Sequence, residues 1–221
     1  MIVAIHQPNY IPWLGYFDKI LKSDVFVFLD HVEFSKNGFI NRNKVVVNNN
    51  STWLTMPVSK KYHKSSIKDI LIEDERWRQK HFKTLQQAYS SFPGSKIYLE
   101  KYRQIINSSA NLCEINISLI VWCCSILGID TKFVRSSDFK ISGQAKTDLL
   151  VEINQMCGAS TYLSGQGAAC YLEQSQFGEI EVKWQEFTHP RYKQKTKEFI
   201  PNLSVLDFIF SQNPLSVKVE K

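Results

Sequence analysis

Two short apolar runs near the start of the chain, separated by a stretch that can form a helix, constrain the fold more than any other feature. Residues 2–5 end abruptly at His6, and residues 25–29 end abruptly at Asp30. Apolar runs of this length, bounded by polar residues, are typical of strands buried on both faces. A helix between them predicts a βαβ unit with parallel strands. The polar residues then follow the carboxyl ends of neighbouring strands, where open α/β sheets bind ligands.

Three later segments repeat this pattern. Predicted strands at residues 131–134, 161–163 and 181–187 end in Ser136-Ser137-Asp138, Ser164-Gly165-Gln166 and His189, respectively. Because the carboxyl ends of parallel strands meet at one edge of a sheet, we expect all five polar strand ends to share one crevice. A core needs the apolar residues of its strands, but it does not need histidines, acids and hydroxyls collected at one edge. The sequence therefore predicts a ligand or active site there.

The middle of the chain has a different period. Apolar residues at helical spacing predict three helices within residues 75–127, and residues 45–58 predict a β-hairpin with an Asn-rich turn. The complete pattern predicts an α/β fold with a Rossmann-like, mainly parallel sheet. We expect a single domain over residues 1–221, with residues 75–127 as a helical insert or subdomain.

Composition limits the classes of partner. The 221 residues carry a net charge of +6, with 43% hydrophobic and 22% charged residues. This excess permits an anionic partner such as a nucleotide, a sugar nucleotide or RNA, although solubility explains it equally well. The five cysteines lack metal-binding spacing and predict reduced, mostly buried thiols, and we assign no metal site. Without a signal peptide or an apolar run that could span a membrane, we expect a cytoplasmic protein.

The loop after the first strand is rich in candidate ligand-binding residues. His6 is placed to meet a ligand there, although a histidine in this position can also be structural, with its ring bonded to a backbone carbonyl. Gly15 allows a close backbone approach before the following helix. The residues around His6 that we expect to bind substrate are Gln7, Asn9, Tyr10, Trp13 and Gly15.

Three further segments carry candidate binding groups. Arg42 and Lys44 in the loop after the second strand could hold a phosphate or carboxylate, although a solvated basic loop is an equal alternative. The small-residue turn at the end of the 161–163 strand is a natural anion site. The candidates from these segments are Asn41, Arg42, Lys44, Ser164, Gly165, Gln166 and Tyr192.

Several separated blocks of the sequence resemble the WbqC-like family of bacterial proteins. The blocks are HQPNYIPWLGYFDKI, SDVFVFLD, NRNK, WLTMPV, TYLSGQG, WQEFTHPRYKQ and FIPNLSVLDFIF. Asp30, Asn41 and Arg42 match the family pattern, whereas His31 and Glu33 depart from it. The family occurs among genes for O-antigen and other surface-polysaccharide synthesis. The resemblance therefore implies a sugar-modifying role in glycan assembly.

A weaker second resemblance concerns the start of the chain. A strand, a polar loop with proline, a glycine, a helix and a strand ending near Asp30 look like the opening of the HIGH-type nucleotidyltransferases. In those enzymes histidines and backbone amides hold the ATP phosphates. This sequence lacks the second histidine, and Tyr16 stands nearest its place.

These observations leave three functional hypotheses. The first is a transferase that modifies an amino-sugar nucleotide or a related small amine by acyl or aminoacyl transfer. His6 or His189 would be the general base, with a partner acid that orients the imidazole, and Asp30 is the third catalytic candidate. The second is a HIGH-type nucleotidyl or adenylyl transferase that uses ATP and magnesium. The third is a non-catalytic binding protein of a glycan-assembly pathway.

The same hypotheses define the expected ligands. The substrate is a small molecule, with a nucleotide-linked sugar as the leading class and RNA as an open alternative. The cofactor is left open, with a nucleotide or an activated acyl donor as candidates. The oligomeric state is also open.

Overall fold

The computed structural model describes residues 1–142 and 147–212. Contacts between residues divide the chain into two compact units. Unit 1 comprises Met1–Gln7, Gly15–His31 and Ile129–Thr188, and unit 2 comprises Pro8–Leu14, Val32–Gly128 and the described part of His189–Lys221. The single domain expected over residues 1–221 stays a prediction.

Strands and helices alternate at both ends of the chain, and helices dominate its middle. The strands are β1 (Ile2–His6), β2 (Val25–Phe28), β3 (Arg42–Val47), β4 (Asn50–Thr55), β5 (Lys132–Arg135), β6 (Thr161–Ser164) and β7 (Glu181–Trp184). The helices are α1 (Leu14–Leu21), α2 (Arg76–Tyr89), α3 (Ser95–Ile106), α4 (Leu112–Leu127), α5 (Thr147–Met156) and α6 (Val205–Gln212).

Unit 1 is built on a five-stranded sheet in the order β5-β2-β1-β6-β7, and all neighbouring strands are parallel. In the register of the central strand, Val3 pairs with Val25 on one side and Tyr162 on the other. Every residue of β2 is buried, which is why the apolar runs show no alternation of polar and apolar residues. The predicted α/β fold with a mainly parallel sheet is confirmed.

The strand order reverses at the centre of this sheet. From β1 the chain moves outward through β2 to β5, and it then returns to the other side of β1 to form β6 and β7. Two strands whose connections leave in opposite directions open a crevice at their carboxyl ends, where doubly wound sheets bind ligands. The point of reversal therefore lies between β1 and β6. The finer description of the sheet as Rossmann-like stays a prediction.

Unit 2 contains the hairpin of β3 and β4 and the helices α2, α3, α4 and α6. The three helices expected in residues 75–127 are present as α2, α3 and α4. Asn111 caps the start of α4 by accepting a hydrogen bond from the Glu114 N–H at 3.1 Å, and Gly128 ends it with a φ of 68°. In the interior, Tyr89 stacks on Phe210 at 4.7 Å between ring centroids.

Two further observations concern the cysteines and the capacity of the helices to span a membrane. All five cysteines are free thiols, and three of them, Cys113, Cys123 and Cys124, are buried. No helix within residues 1–142 and 147–212 combines the length and the apolar character that crossing a bilayer requires.

Candidate functional site

A cavity of about 300 Å³ lies in unit 1 at the carboxyl ends of β1 and β6. This is the position where the strand order reverses. Its polar lining comes from His6, Gln7, Lys19 and Ser164, and its apolar lining includes Ile5, Leu150, Tyr162 and Tyr171. Small-molecule sites commonly combine an apolar wall with a few converging polar groups. The cavity holds His6, Gln7, Ser164 and Gly165 together, and a single crevice shared by all five polar strand ends stays a prediction.

Lys19 brings an amine into this cavity. Helix α1 places the side chain in the interior, where only 3% of the residue is exposed, and Nζ donates a hydrogen bond of 2.9 Å to the carbonyl oxygen of Ile5. A carbonyl dipole compensates a buried ammonium only in part. Burial accordingly lowers the pKa of Lys19 to about 7. Near neutral pH a large fraction of this lysine is an uncharged amine with a lone pair.

The imidazole of His6 lies in the same cavity and is neutral. Its Nδ1 is 3.1 Å from the carbonyl oxygen of Gln7, and its ring meets the ring of Tyr16 edge-on at 4.8 Å. Burial, followed by the positive charge of Lys19, lowers the pKa of His6 to about 3, against a smaller opposing effect of the Gln7 carbonyl. Because a carbonyl oxygen can only accept a hydrogen bond, Nδ1 of His6 carries the proton. His6 thus makes the structural bond considered from sequence and also lines the cavity.

The turn after β6 forms the facing part of the lining. Ser164 is fully buried, and a Cβ placed on Gly165 would lie 3.9 Å from Nζ of Lys19. A side chain at this position would therefore lie against the amine, and the glycine leaves that space open. Gln166 points elsewhere, since its Nε2 donates to the carbonyl oxygen of Gln185 at 3.1 Å. Gly15, also predicted for the site, instead uses its carbonyl oxygen to accept a bond of 2.7 Å from Nε2 of Gln185.

Asp30 belongs to a separate cluster at the ends of β2 and β5. Its buried carboxylate accepts hydrogen bonds from the hydroxyl of Ser136 at 3.0 Å and from the hydroxyl of Ser137 at 2.8 Å. The backbone N–H of Ser137 adds a third at 2.9 Å. These bonds tie two neighbouring strand ends together. The catalytic role expected of Asp30 stays a prediction, and Nδ1 of His6 is bonded to a backbone carbonyl.

Several predicted site residues lie in the interior of unit 2. The hydroxyl of Tyr10 is fully buried, 2.8 Å from Nδ1 of His81 and 2.5 Å from the hydroxyl of Tyr102. Asn9 is also buried. Asn41 is 9% exposed and donates to the carbonyl oxygen of Met56 at 2.8 Å. These contacts give Tyr10 and Asn41 structural roles, and the substrate contacts expected of both residues stay a prediction.

The remaining candidates also belong to unit 2. Arg42 and Lys44 project from β3 toward the ring of Trp53, and Trp13 lies 5.5 Å from Phe39 between ring centroids. Tyr192 donates to the carboxylate of Asp207 at 3.0 Å, and Nδ1 of His189 is 2.9 Å from the carbonyl oxygen of Pro190. His189 belongs to unit 2 and His6 to unit 1, so their presence in one crevice stays a prediction.

Sequence reasoning missed Lys19, although a signal was available. In α1, Tyr16, Lys19 and Ile20 are spaced by three and four residues and share one face. A lysine on the apolar face of a helix that packs on a sheet must bury its amine or extend out of the core. Lys19 buries its amine.

Two clefts in unit 2 are larger than this cavity. Their volumes are about 430 Å³ and 450 Å³, and their linings are mainly amide and cationic side chains. Volume alone does not identify a site, and the unit 1 cavity is preferred because it holds a buried amine and a partly buried imidazole at strand ends. Within residues 1–142 and 147–212, no group of three or more His, Cys, Asp or Glu side chains could hold a metal ion.

Comparison with known proteins agrees with the blocks of sequence noted above. The model of the WbqC-like protein family matches residues 7–219. An uncharacterized protein of Mycobacterium tuberculosis, Rv1507c, is 33% identical over 222 residues, which cover 95% of this chain and 93% of that protein. No solved structure gives a significant match. The chain therefore belongs to the WbqC-like protein family.

Proposed function

We propose that this protein is a transferase that modifies a small amine, with nucleotide-linked amino sugars as the substrate class, during surface-glycan assembly. The unit 1 cavity is the proposed active site. The observation that carries the proposal is the amine of Lys19 inside this cavity, held by the Ile5 carbonyl and poised between its charged and neutral forms. The glycan context comes from the family, since genes of the WbqC-like family occur at polysaccharide loci.

The neutral amine of Lys19 suits the role of general base. In acyl transfer the substrate amine attacks the carbonyl carbon of an activated acyl donor, and the new N–C bond forms as the attacking nitrogen loses a proton. Lys19 accepts that proton and returns it to the leaving group as the donor's bond breaks. A base whose pKa lies near the working pH performs both transfers efficiently. The pKa of Lys19, about 7, meets this condition.

His6 takes a different role from the one expected from sequence. With its pKa lowered to about 3, the imidazole is a weak base at neutral pH, and it supplies a neutral hydrogen-bonding group beside the reacting amine. Ser164 and Gly165 line the same cavity. Their stabilisation of developing negative charge, expected from the small-residue turn, stays part of the proposal.

We give the alternative of adenylyl transfer less weight. The residue nearest the place of the missing second histidine is Tyr16, and its hydroxyl donates to the carbonyl oxygen of Gln7 at 3.0 Å. A side chain committed to the backbone in this way does not replace a phosphate-binding histidine. We therefore do not propose ATP-dependent nucleotidyl transfer.

Mass spectrometry of reaction mixtures tests the proposal. The full chain is incubated with a panel of nucleotide-linked amino sugars and acyl-coenzyme A or aminoacyl donors, and the sugar is inspected for the added group. We expect a product whose rate of formation rises as the pH passes through about 7, because Lys19 then loses its proton.

Two lysine variants complete this test. Lys19→Met is expected to lower the rate to the uncatalysed level, whereas Lys22→Gln, which removes an exposed lysine of the same part of the chain, is expected to leave it unchanged. Circular dichroism checks that both variants fold. Equal product formation by wild type and Lys19→Met would overturn the role of Lys19 as the base. No product with any member of the panel would overturn the transferase proposal and favour the non-catalytic binding protein.

A further inference from the structure

The outer side of the β3–β4 hairpin carries an exposed cluster of aromatic and cationic side chains. Arg42 and Lys44 lie on it because alternate residues of a strand share one side, and Trp53 stands directly opposite Lys44 on β4. Phe39, which precedes β3, adds a second ring. We call these four residues the hairpin face. The rings are half-exposed, with 41% of Trp53 and 43% of Phe39 accessible to solvent.

Positive charge is concentrated on the hairpin face. The guanidinium carbon of Arg42 lies 4.4 Å from the centre of the Trp53 ring, and the amine of Lys44 lies 4.9 Å from it. Among the described residues, neither side chain forms an ion pair with a carboxylate. Two neighbouring cations without a counter-charge create a local field that attracts anions. Cations on an indole are stabilised by the ring, and this contact preorganises them.

The opposite side of the hairpin holds the cluster in place. Asn43 is fully buried between Arg42 and Lys44, and its Nδ2 donates to the carbonyl oxygen of Ile11 at 2.8 Å. Arg42 is fixed further by a bond of 2.6 Å from Nη2 to the carbonyl oxygen of Asn37. The positions of the strand and of the guanidinium are therefore set before any ligand arrives.

We propose that the hairpin face binds a nucleoside diphosphate, with the base stacked on Trp53 or Phe39 and the phosphates held by Arg42 and Lys44. Aromatic side chains bind bases through their faces, and Arg and Lys hold phosphates through charge-assisted hydrogen bonds. The ring centroids of Phe39 and Trp53 are 6.2 Å apart, and the rings are tilted by 38°. A base between two rings needs roughly 3.5 Å on each side, so it stacks on one of them.

The size of the hairpin face favours a single nucleotide over a polymer. Two half-exposed rings and two cations match one base and one diphosphate. RNA recognition uses a longer stripe in which cations and rings repeat along several nucleotides. This inference does not depend on the transferase proposal, because it concerns residues of unit 2 alone.

Calorimetric titration of the full chain tests the inference. The probes are uridine diphosphate, uridine, pyrophosphate and a uridine oligonucleotide at low ionic strength. We expect uridine diphosphate to bind more tightly than either of its parts, because base stacking and phosphate contacts act together. Raising the salt concentration is expected to weaken this binding.

Matched variants locate the binding. Trp53→Leu is expected to weaken the affinity for uridine diphosphate roughly tenfold, and Trp53→Phe to restore most of it. Arg42→Gln and Lys44→Gln are each expected to weaken it about tenfold. Lys101→Gln, which removes an exposed lysine of α3, is the matched control for charge and is expected to change nothing. Lys19→Met is expected to leave this binding intact, which separates it from the proposed active site.

Three results would overturn the inference. The first is an unchanged affinity in Trp53→Leu and Arg42→Gln variants whose thermal unfolding matches that of wild type. The second is equal affinity for pyrophosphate and uridine diphosphate, since the rings would then contribute nothing. The third is binding of the oligonucleotide without binding of the diphosphate, which would identify a polymer as the ligand.

Discussion

The amine of Lys19 donates a hydrogen bond of 2.9 Å to the carbonyl oxygen of Ile5, next to the last residue of the central strand. This bond holds the side chain of a helix against the edge of the sheet at which ligands are expected. It also places an ionisable group where its charged form is poorly solvated. The first two predictions follow from the poor solvation of this buried charge.

Replacing Lys19 by methionine is expected to stabilise the protein at pH 7. The pKa of Lys19 falls from 10.5 to about 7 on folding, so between these values the unfolded chain binds more protons than the folded one. Stability must therefore fall as the pH drops from 10.5 to 7, by at most roughly 5 kcal/mol. Lys19→Met removes this loss of stability. It also removes the hydrogen bond to the Ile5 carbonyl, so the net gain in stability is smaller than the loss that it removes.

Urea denaturation at several pH values between 7 and 10.5 measures this effect. The comparison with the variant is essential because tyrosines and cysteines titrate in the same range. Parallel stability curves for wild type and Lys19→Met would contradict the prediction. Lys22→Gln, a change at an exposed lysine, serves as the control.

His6 is expected to stay neutral in mildly acidic solution. Its pKa falls from 6.5 to about 3 on folding, so the unfolded chain binds the extra proton first, and stability is lost as the pH drops from 6.5 towards 3. Nitrogen chemical shifts of the imidazole would follow the titration directly. Because the charge of Lys19 contributes to the shift, Lys19→Met is expected to raise the pKa of His6. An imidazole that titrates near 6.5 in the folded protein would refute the prediction.

Asp30→Asn is expected to destabilise the protein by roughly 2 kcal/mol or more. The carboxylate accepts three hydrogen bonds from Ser136 and Ser137, and an amide group can replace only one of its two oxygens as an acceptor. Ser137→Ala, which removes one hydroxyl and keeps the backbone contact, should cost about 1 kcal/mol. Chemical denaturation gives both values. A loss of activity without a loss of stability in Asp30→Asn would instead support the catalytic role expected from sequence.

Tyr10→Phe is expected to lower stability by roughly 1 to 3 kcal/mol and to leave substrate binding unchanged. The variant deprives two buried groups, Nδ1 of His81 and the hydroxyl of Tyr102, of their common partner. Denaturation and ligand titration of the same preparation distinguish the two effects. Weakened binding at unchanged stability would instead support a direct contact between Tyr10 and the substrate.

Local patterns were enough to predict much of the fold. The apolar runs before His6 and Asp30 predicted strands β1 and β2, and the helical period predicted α2, α3 and α4. Each of these elements has a period or a bounding residue of its own in the sequence. The convergence of His6, Gln7, Ser164 and Gly165 followed from one topological rule, that parallel strands end at a common edge.

The contacts that sequence reasoning missed depend on the packing of distant segments. Lys19 looks like an ordinary helix lysine until α1 packs against β1, and Tyr10 looks like a loop residue until α2 and α3 enclose its hydroxyl. The partners of Asp30 are 106 and 107 residues away in the chain. No local spacing encodes such pairs, so the roles of these three side chains could not be predicted.

The central position of β1 has a consequence for how the protein is made. Ile2 leaves the ribosome long before its neighbour in the sheet, Thr161. Pairings between such remote segments form slowly, because a long loop must close first. During translation β1 must therefore wait, with the backbone groups of one edge unpaired, until β6 has been synthesised. That interval is when a newly made chain is most exposed to aggregation and most dependent on chaperones.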